Sequence, residues 1–198
     1  PPPSASFASG KSFAPPPALT LWLTGLSGSG KSTIADRLAA ALRERGFPLP
    51  VVRLDGDVLR EGLNRDLGFS AEDRSENIRR AGEIARLLAR QGMLVLVTLI
   101  SPFRRDRDAV RARMGPGEFL EVFVSCPLAE CEKRDPKGLY RRARAGEVPE
   151  FTGISSPYEE PLKPELTLDT SRLGIEEAVA VVVRYLEEKG RLAPETRP

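Results

Sequence analysis

Gly25-Leu26-Ser27-Gly28-Ser29-Gly30-Lys31-Ser32, continued by Thr33, has the G-x-x-x-x-G-K-[ST] spacing, whose chemistry is the cradling of phosphates. Its glycines let successive backbone N–H groups turn toward phosphate oxygens. A helix beginning there adds the positive end of its dipole. Lys31 is of the type and position to neutralise the β- and γ-phosphates of a nucleoside triphosphate, and the Ser32 hydroxyl can ligate Mg²⁺. A looser copy from Ala5 to Ser12 has no apolar run before it and is cut off by Pro15-Pro16-Pro17, so it reads as chance. A second reactive group is Asp55-Gly56-Asp57, two carboxylates two residues apart at the end of another apolar run. Their spacing alone does not apportion them between metal shell and substrate hydroxyl.

The phosphate pattern has meaning only between a strand and a helix. The apolar run Leu19 to Thr24 predicts the strand, and the helix runs from Lys31 to about Arg45, stopped by Gly46 with Pro48 and Pro50 beyond. Val51 to Leu54 predicts a second strand that delivers Asp55 and Asp57 at its carboxyl end, where open α/β sheets bind ligands. Ser70 to Asp73 resembles a capping box for a long helix with Ile78, Ala81, Ile84, Ala85 and Leu88 on one face, ended by Gly92. Met93 to Ile100 reads as a central strand, Arg104 to Met114 as a charged helix, Phe119 to Val124 as a fourth strand and Pro127 to Lys133 as a short helix. Leu166 to Leu168 is a last short strand, and Ile175, Ala178, Val179, Val182 and Leu186 mark a closing amphipathic helix. The alternation predicts one three-layer α/β/α domain over 18–190 with a five-stranded parallel sheet. Residues 135–164 are polar, basic and rich in turns with no evident strand, the profile of a mobile lid. Residues 1–17 hold six of the 18 prolines and read as a disordered tail or linker. Residues 191–198 read as a flexible tail.

The totals exclude several classes. The 198 residues carry 30 basic and 28 acidic side chains, a net charge of +2. That balance gives no general attraction to nucleic acid or to an anionic membrane, so a positive site must be local. No apolar run approaches the roughly 18 residues needed to cross a bilayer. With no histidine and only Cys126 and Cys131, a zinc site, a Ser-His-Asp triad and a disulfide framework are excluded as working ideas. The cysteines fit small core residues of a cytoplasmic protein.

A set of longer blocks narrows the reading. Asp55 to Ser70, Asp73-Arg74, Glu76 to Arg80, Ile100-Ser101-Pro102-Phe103, Lys137-Gly138-Leu139-Tyr140 and Phe151-Thr152-Gly153-Ile154 together closely resemble adenylylsulfate kinase over about residues 19–188. The resemblance implies a P-loop NTPase fold and transfer of the ATP γ-phosphate to the ribose 3′-hydroxyl of adenosine 5′-phosphosulfate, with Mg²⁺. It also implies a homodimer, and the Pro-rich start suits a fusion to, or complex with, ATP sulfurylase. By the same resemblance Arg60 and Arg74 take the phosphosulfate, with Asn77, Ile100, Ser101, Lys137 and Leu139 beside the acceptor. Both arginines are suited to forked contacts. Phe69 and Phe151, exposed-looking aromatics in polar surroundings, stack on the two faces of its adenine. Asp57 is the base or the orienter of the hydroxyl, and Asp55 serves the magnesium shell through water. Lys31 and Lys137 gather charge on the moving group, and Arg134 and Thr170 face the ATP adenine. Ser101 is either a covalent carrier or, more simply, a contact. The family often has asparagine where Val58 follows Asp57, which removes a side-chain amide and leaves both carboxylates. Kinases of gluconate, shikimate or nucleoside monophosphates share the loop and lid but not Phe69, Arg74 and Phe151. A regulatory sulfonucleotide sensor has no need of Lys31 and Ser32.

Overall fold

The computed structural model describes residues 18–193; the expected N-terminal tail, the looser glycine-rich copy and residues 194–198 lie outside it. In chain order the elements are β1 (Leu19–Thr24), α1 (Lys31–Glu44), β2 (Val51–Asp55), α2 (Gly56–Glu61), α3 (Ala71–Arg90) and β3 (Leu94–Thr98). There follow α4 (Arg104–Ala112), β4 (Phe119–Ser125), α5 (Leu128–Arg134), α6 (Leu139–Arg144), β5 (Leu166–Asp169) and α7 (Ile175–Glu188). The five strands lie in the order β2-β3-β1-β4-β5, and every pairing is parallel.

Parallel strands joined by helices are covered on both faces, which is why β1 is apolar nearly throughout. Its alternation still sorts the two layers. Leu19, Leu21 and Leu23 join the α1 and α7 residues Ile34, Leu38, Val179 and Val182 in one core. Trp22, fully buried, points the other way into a second core with Ile78, Ala81 and Ala85 of α3 and Val110 of α4. Each fully buried Leu in these layers contributes about 2 kcal/mol by burial alone. With β1 central, the chain reverses direction across the sheet beside it, so the crevice over its carboxyl end is where a ligand is expected.

Several expectations need correction. β3 stops at Thr98 instead of reaching Ile100, because Ser101 adopts φ 44° and the chain leaves the sheet. Asp55 caps an unforeseen helix, α2: its Oδ1 accepts from Asp57 N at 3.0 Å. Ser70 Oγ accepts from Asp73 N at 3.1 Å, but the Asp73 carboxylate accepts from Gly68 N and does not return to Ser70. The capping box is therefore half made. The span 135–164 contains α6, and its Tyr140, Ala143 and Phe151 pack with Cys126 and Cys131 from the preceding segment in a third apolar cluster, so its polar composition conceals part of a small core. At the other end, Leu192 is buried in the first core and Arg191 N donates to Leu186 O at 2.8 Å. The flexible tail does not begin at 191.

Candidate active site

A cavity of about 1050 Å³ crosses the carboxyl ends of β1, β2 and β3 and reaches Thr170 beyond β5. At its floor the loop from Gly25 to Gly30 leaves β1 and enters α1. Gly25 sits at φ 151°, with the Val124 carbonyl so close that a Cβ would lie 2.4 Å from it. Only glycine lets the loop start this near β4. No side chain caps α1 and no acidic residue occupies its first turn, so the positive end of the helix is left uncompensated. Lys31 Nζ donates to the carbonyls of Gly25 (2.9 Å) and Leu26 (2.7 Å). Burial pulls its pKa from 10.5 down to about 8, against nearby carboxylates that act in the opposite sense.

Asp55 is the buried carboxylate. The parallel register sets it opposite Thr98, whose Oγ1 donates to Oδ2 at 2.8 Å, and Ser32 Oγ donates to the same oxygen at 2.8 Å. Burial alone would raise its pKa, but the hydrogen bonds from Thr98, Ser32 and the Asp57 N–H outweigh that and hold it below the ordinary value. Asp57, the second residue of α2, is exposed and ion-paired with Lys137 of the span after α5. The two carboxylates that the sequence left unassigned thus differ sharply in surroundings: one is fixed among hydroxyls, the other is free to meet solvent or substrate.

On the α2–α3 side, Arg60 lies 4.4 Å and Arg74 5.5 Å from the Phe69 ring centre. Arg60 Nη1 donates to Leu67 and Gly68 carbonyls (3.0 and 2.9 Å), while Arg74 donates to Phe69 O (2.9 Å) and Glu150 O (2.8 Å). Both guanidiniums are partly desolvated, which lowers their pKa, and Arg60 Nη2 and Arg74 Nη1 have no protein partner among the described residues. Phe69 is half exposed, as expected. Phe151 is not: it is buried, edge-on to Tyr140 at 5.0 Å between centroids, though it still lines the cavity. Asn77, Ile100 and Leu139 line the same walls, with Asn77 Oδ1 accepting from Asn64 Nδ2 at 2.8 Å. On the opposite side Arg134 Nη2 donates to Thr170 O at 2.6 Å, and Thr170 Oγ1 donates to Ser29 O at 2.9 Å.

The cavity gathers most of the residues expected from the sequence, from Ser27, Gly28, Gly30, Lys31, Ser32 and Thr33 to Phe151 and Thr170. Gly25 and Ser29 are buried members of the loop, and Leu26 faces a neighbouring cavity. Ser101 departs from the covalent alternative: its Oγ accepts from Trp22 Nε1 at 3.0 Å and donates to Leu99 O at 3.2 Å. A hydroxyl so committed, with no base beside it, is not an activated nucleophile. Sequence reasoning missed Thr98, which only the β2–β3 register reveals, and Tyr140, whose hydroxyl donates to Ser27 O at 2.9 Å and braces the loop from α6.

A family model described as Adenylylsulphate kinase matches residues 17–169. An adenylyl-sulfate kinase of Geotalea uraniireducens is 57% identical over 171 residues, 86% of this chain and 81% of the relative. The Mycobacterium tuberculosis APS kinase CysC, solved in complex with AMPPNP and APS, is 50% identical with a TM-score of 0.82, over 87% of this chain and 99% of that one. A hexameric APS kinase from Thiobacillus denitrificans is 36% identical with a TM-score of 0.66, over 88% of this chain and 29% of the other.

Proposed function

This chain belongs to the adenylylsulphate kinase family, and from that premise we propose how the cavity over the carboxyl ends of β1, β2 and β3 is divided between two nucleotides. The activity is ATP-dependent: the γ-phosphate of ATP passes to the ribose 3′-hydroxyl of adenosine 5′-phosphosulfate, giving 3′-phosphoadenylyl sulfate. The donor lies along the glycine loop, its phosphates against the open N-terminus of α1 and Lys31, its adenine toward Arg134 and Thr170. The acceptor takes the other half, its adenine against Phe69 and Phe151 and its phosphosulfate facing the unpartnered nitrogens of Arg60 and Arg74. Placement of Asp57 in the same cavity as both groups carries this reading.

Phosphoryl transfer asks little of a base early, because the transition state is loose, so holding the hydroxyl in line is the main demand. Asp57 meets it: exposed at the start of α2, it accepts from the 3′-hydroxyl and takes its proton late. Lys137, its ion-pair partner, supplies positive charge from the span that covers the site. Ser101 contributes wall and not chemistry. Ser32 and Asp55 present hard oxygens side by side, and among the described residues no cluster of three or more metal-ligating side chains exists. That sparse donor set fits Mg²⁺, which keeps waters and borrows phosphate oxygens. Ser32, with Asp55 behind it, would hold the ion, which would supply positive charge to offset the negative charge of the triphosphate. A homodimer and a cytoplasmic location are part of the same proposal; no helix among the described residues is long and apolar enough to cross a membrane.

The test is substrate-selective. Phe69→Ala removes one stacking face, worth ~1–3 kcal/mol, so the KM for adenylylsulfate should rise roughly 5- to 150-fold while that for ATP stays within about threefold. Equal rises for both substrates would contradict the division of the cavity.

A further inference from the structure

Beneath the acceptor wall lies a buried polar network with no part in the chemistry above. Arg107 of α4 is only 2% exposed. Its Nε donates to Glu121 Oε1 at 2.7 Å, its Nη1 to Ser101 O at 2.6 Å and its Nη2 to Glu159 O at 2.8 Å. One rigid fork therefore joins three separate parts of the chain: β4, the turn after β3, and the end of the span that covers the site. The same turn is held from β1. Trp22 Nε1 donates to Ser101 Oγ, and Thr24 Oγ1 donates to Ile100 O at 2.7 Å while sharing a 2.9 Å hydrogen bond with the Tyr158 hydroxyl. Glu159 N donates to Pro102 O at 2.8 Å, and its carboxylate accepts from Arg104 N at the start of α4.

The arrangement is costly without a role. Burying an arginine and a glutamate gives up solvation that their attraction only partly returns, and an apolar pair of the same volume is often as stable. The turn it holds is strained, since a serine at φ 44° lies in the left-handed region. Ile100, Ser101 and Pro102 line the cavity, and residues 158–160 anchor the carboxyl end of the covering span. We infer that Arg107 is a positioning residue that holds the Ile100–Pro102 wall of the acceptor subsite and the root of the covering span in one fixed relation, so that span placement and acceptor binding are coupled through a single guanidinium. Arg107 touches neither substrate; it acts through Ser101 and Glu159. The inference rests on the acceptor lying against Ile100–Pro102, as proposed above.

Arg107→Lys tests it, because lysine keeps the charge facing Glu121 but loses the fork that reaches both carbonyls. Tyr158→Phe is a second, milder variant on a half-buried side chain. Steady-state kinetics with each substrate varied should give an acceptor KM at least tenfold higher in Arg107→Lys and about threefold higher in Tyr158→Phe. The KM for ATP should remain within twofold, and amide exchange in residues 150–164 should be faster in both. A role confined to general stability would lower the melting temperature and the active fraction without separating the two KM values. If neither variant raises the acceptor KM, or both substrates weaken together, the inference is overturned. Phe69→Ala run alongside distinguishes the failures: an unchanged acceptor KM there sinks the subsite assignment and this inference with it, whereas a raised one confines the failure to Arg107.

Discussion

Replacing Gly25 by alanine is the perturbation whose size the structure fixes best. A Cβ there would lie 2.4 Å from the Val124 carbonyl oxygen, where ordinary contact begins at 3.4 Å. The oxygen belongs to a strand paired on both sides, so it cannot retreat, and the start of the phosphate loop must move by about 1 Å. Overpacking of this kind costs ~1–3 kcal/mol, a fall of about 3–10 °C in melting temperature for a chain of this size. Function should suffer more, since a displacement near 1 Å at groups that position a reaction costs roughly 100-fold in rate. Gly46→Ala is the control: it also has a positive φ (66°) but nothing within 4 Å of the added carbon, so it bears only the left-handed penalty of about 1–2 kcal/mol. The assay is kcat/KM for ATP at saturating acceptor together with thermal melting of both variants. Equal catalytic losses in the two would refute the close-approach reasoning, because only Gly25 faces a backbone wall.

Two further outcomes follow from the titrating groups. Lys31 sits at about 8, below its ordinary 10.5, so between those values the unfolded chain binds more protons and this group's contribution to stability rises with pH. Its grip on phosphate does the reverse, so the KM for ATP should climb above about pH 8 without a matching fall in melting temperature on its account, and Lys31→Arg should flatten that climb; a flat wild-type profile would remove the depressed lysine from the account. Asp55, held below its ordinary 3.8, contributes stability that is full above that value and lost as pH falls through the lower folded value. Asp55→Asn should therefore cost about 2 kcal/mol at pH 7 by urea denaturation, the gap to wild type closing under strong acid and the Mg²⁺ requirement rising; an unchanged gap across that range would show that the carboxylate's hydrogen bonds are not what it contributes.

The parts of the site that could be read from the sequence are those where function and local structure demand the same residues. Gly25 to Ser32 must be a loop between strand and helix, and it is; Ile78, Ala81 and Ala85 face the core as their spacing requires. What escaped depends on contacts between distant segments. The Asp55–Thr98 pair exists because of a register that neither strand encodes alone. Phe151 looked exposed among polar neighbours, yet Tyr140, eleven residues earlier in the chain, buries it. For Ser101 the sequence left a covalent carrier beside the simpler reading as a contact, and it gave no sign that Trp22, 79 residues away, donates to that hydroxyl. Leu192 lies past the last helix in an apparently polar tail and still fills the first core.

The most direct test of the central claim is transfer of labelled γ-phosphate from ATP to adenylylsulfate by the wild-type chain and by Asp57→Asn. The account predicts label at the ribose 3′ position with wild type, and a rate roughly 10²–10⁴ lower with Asp57→Asn at a nearly unchanged KM for ATP. Turnover by Asp57→Asn at the wild-type rate would contradict it.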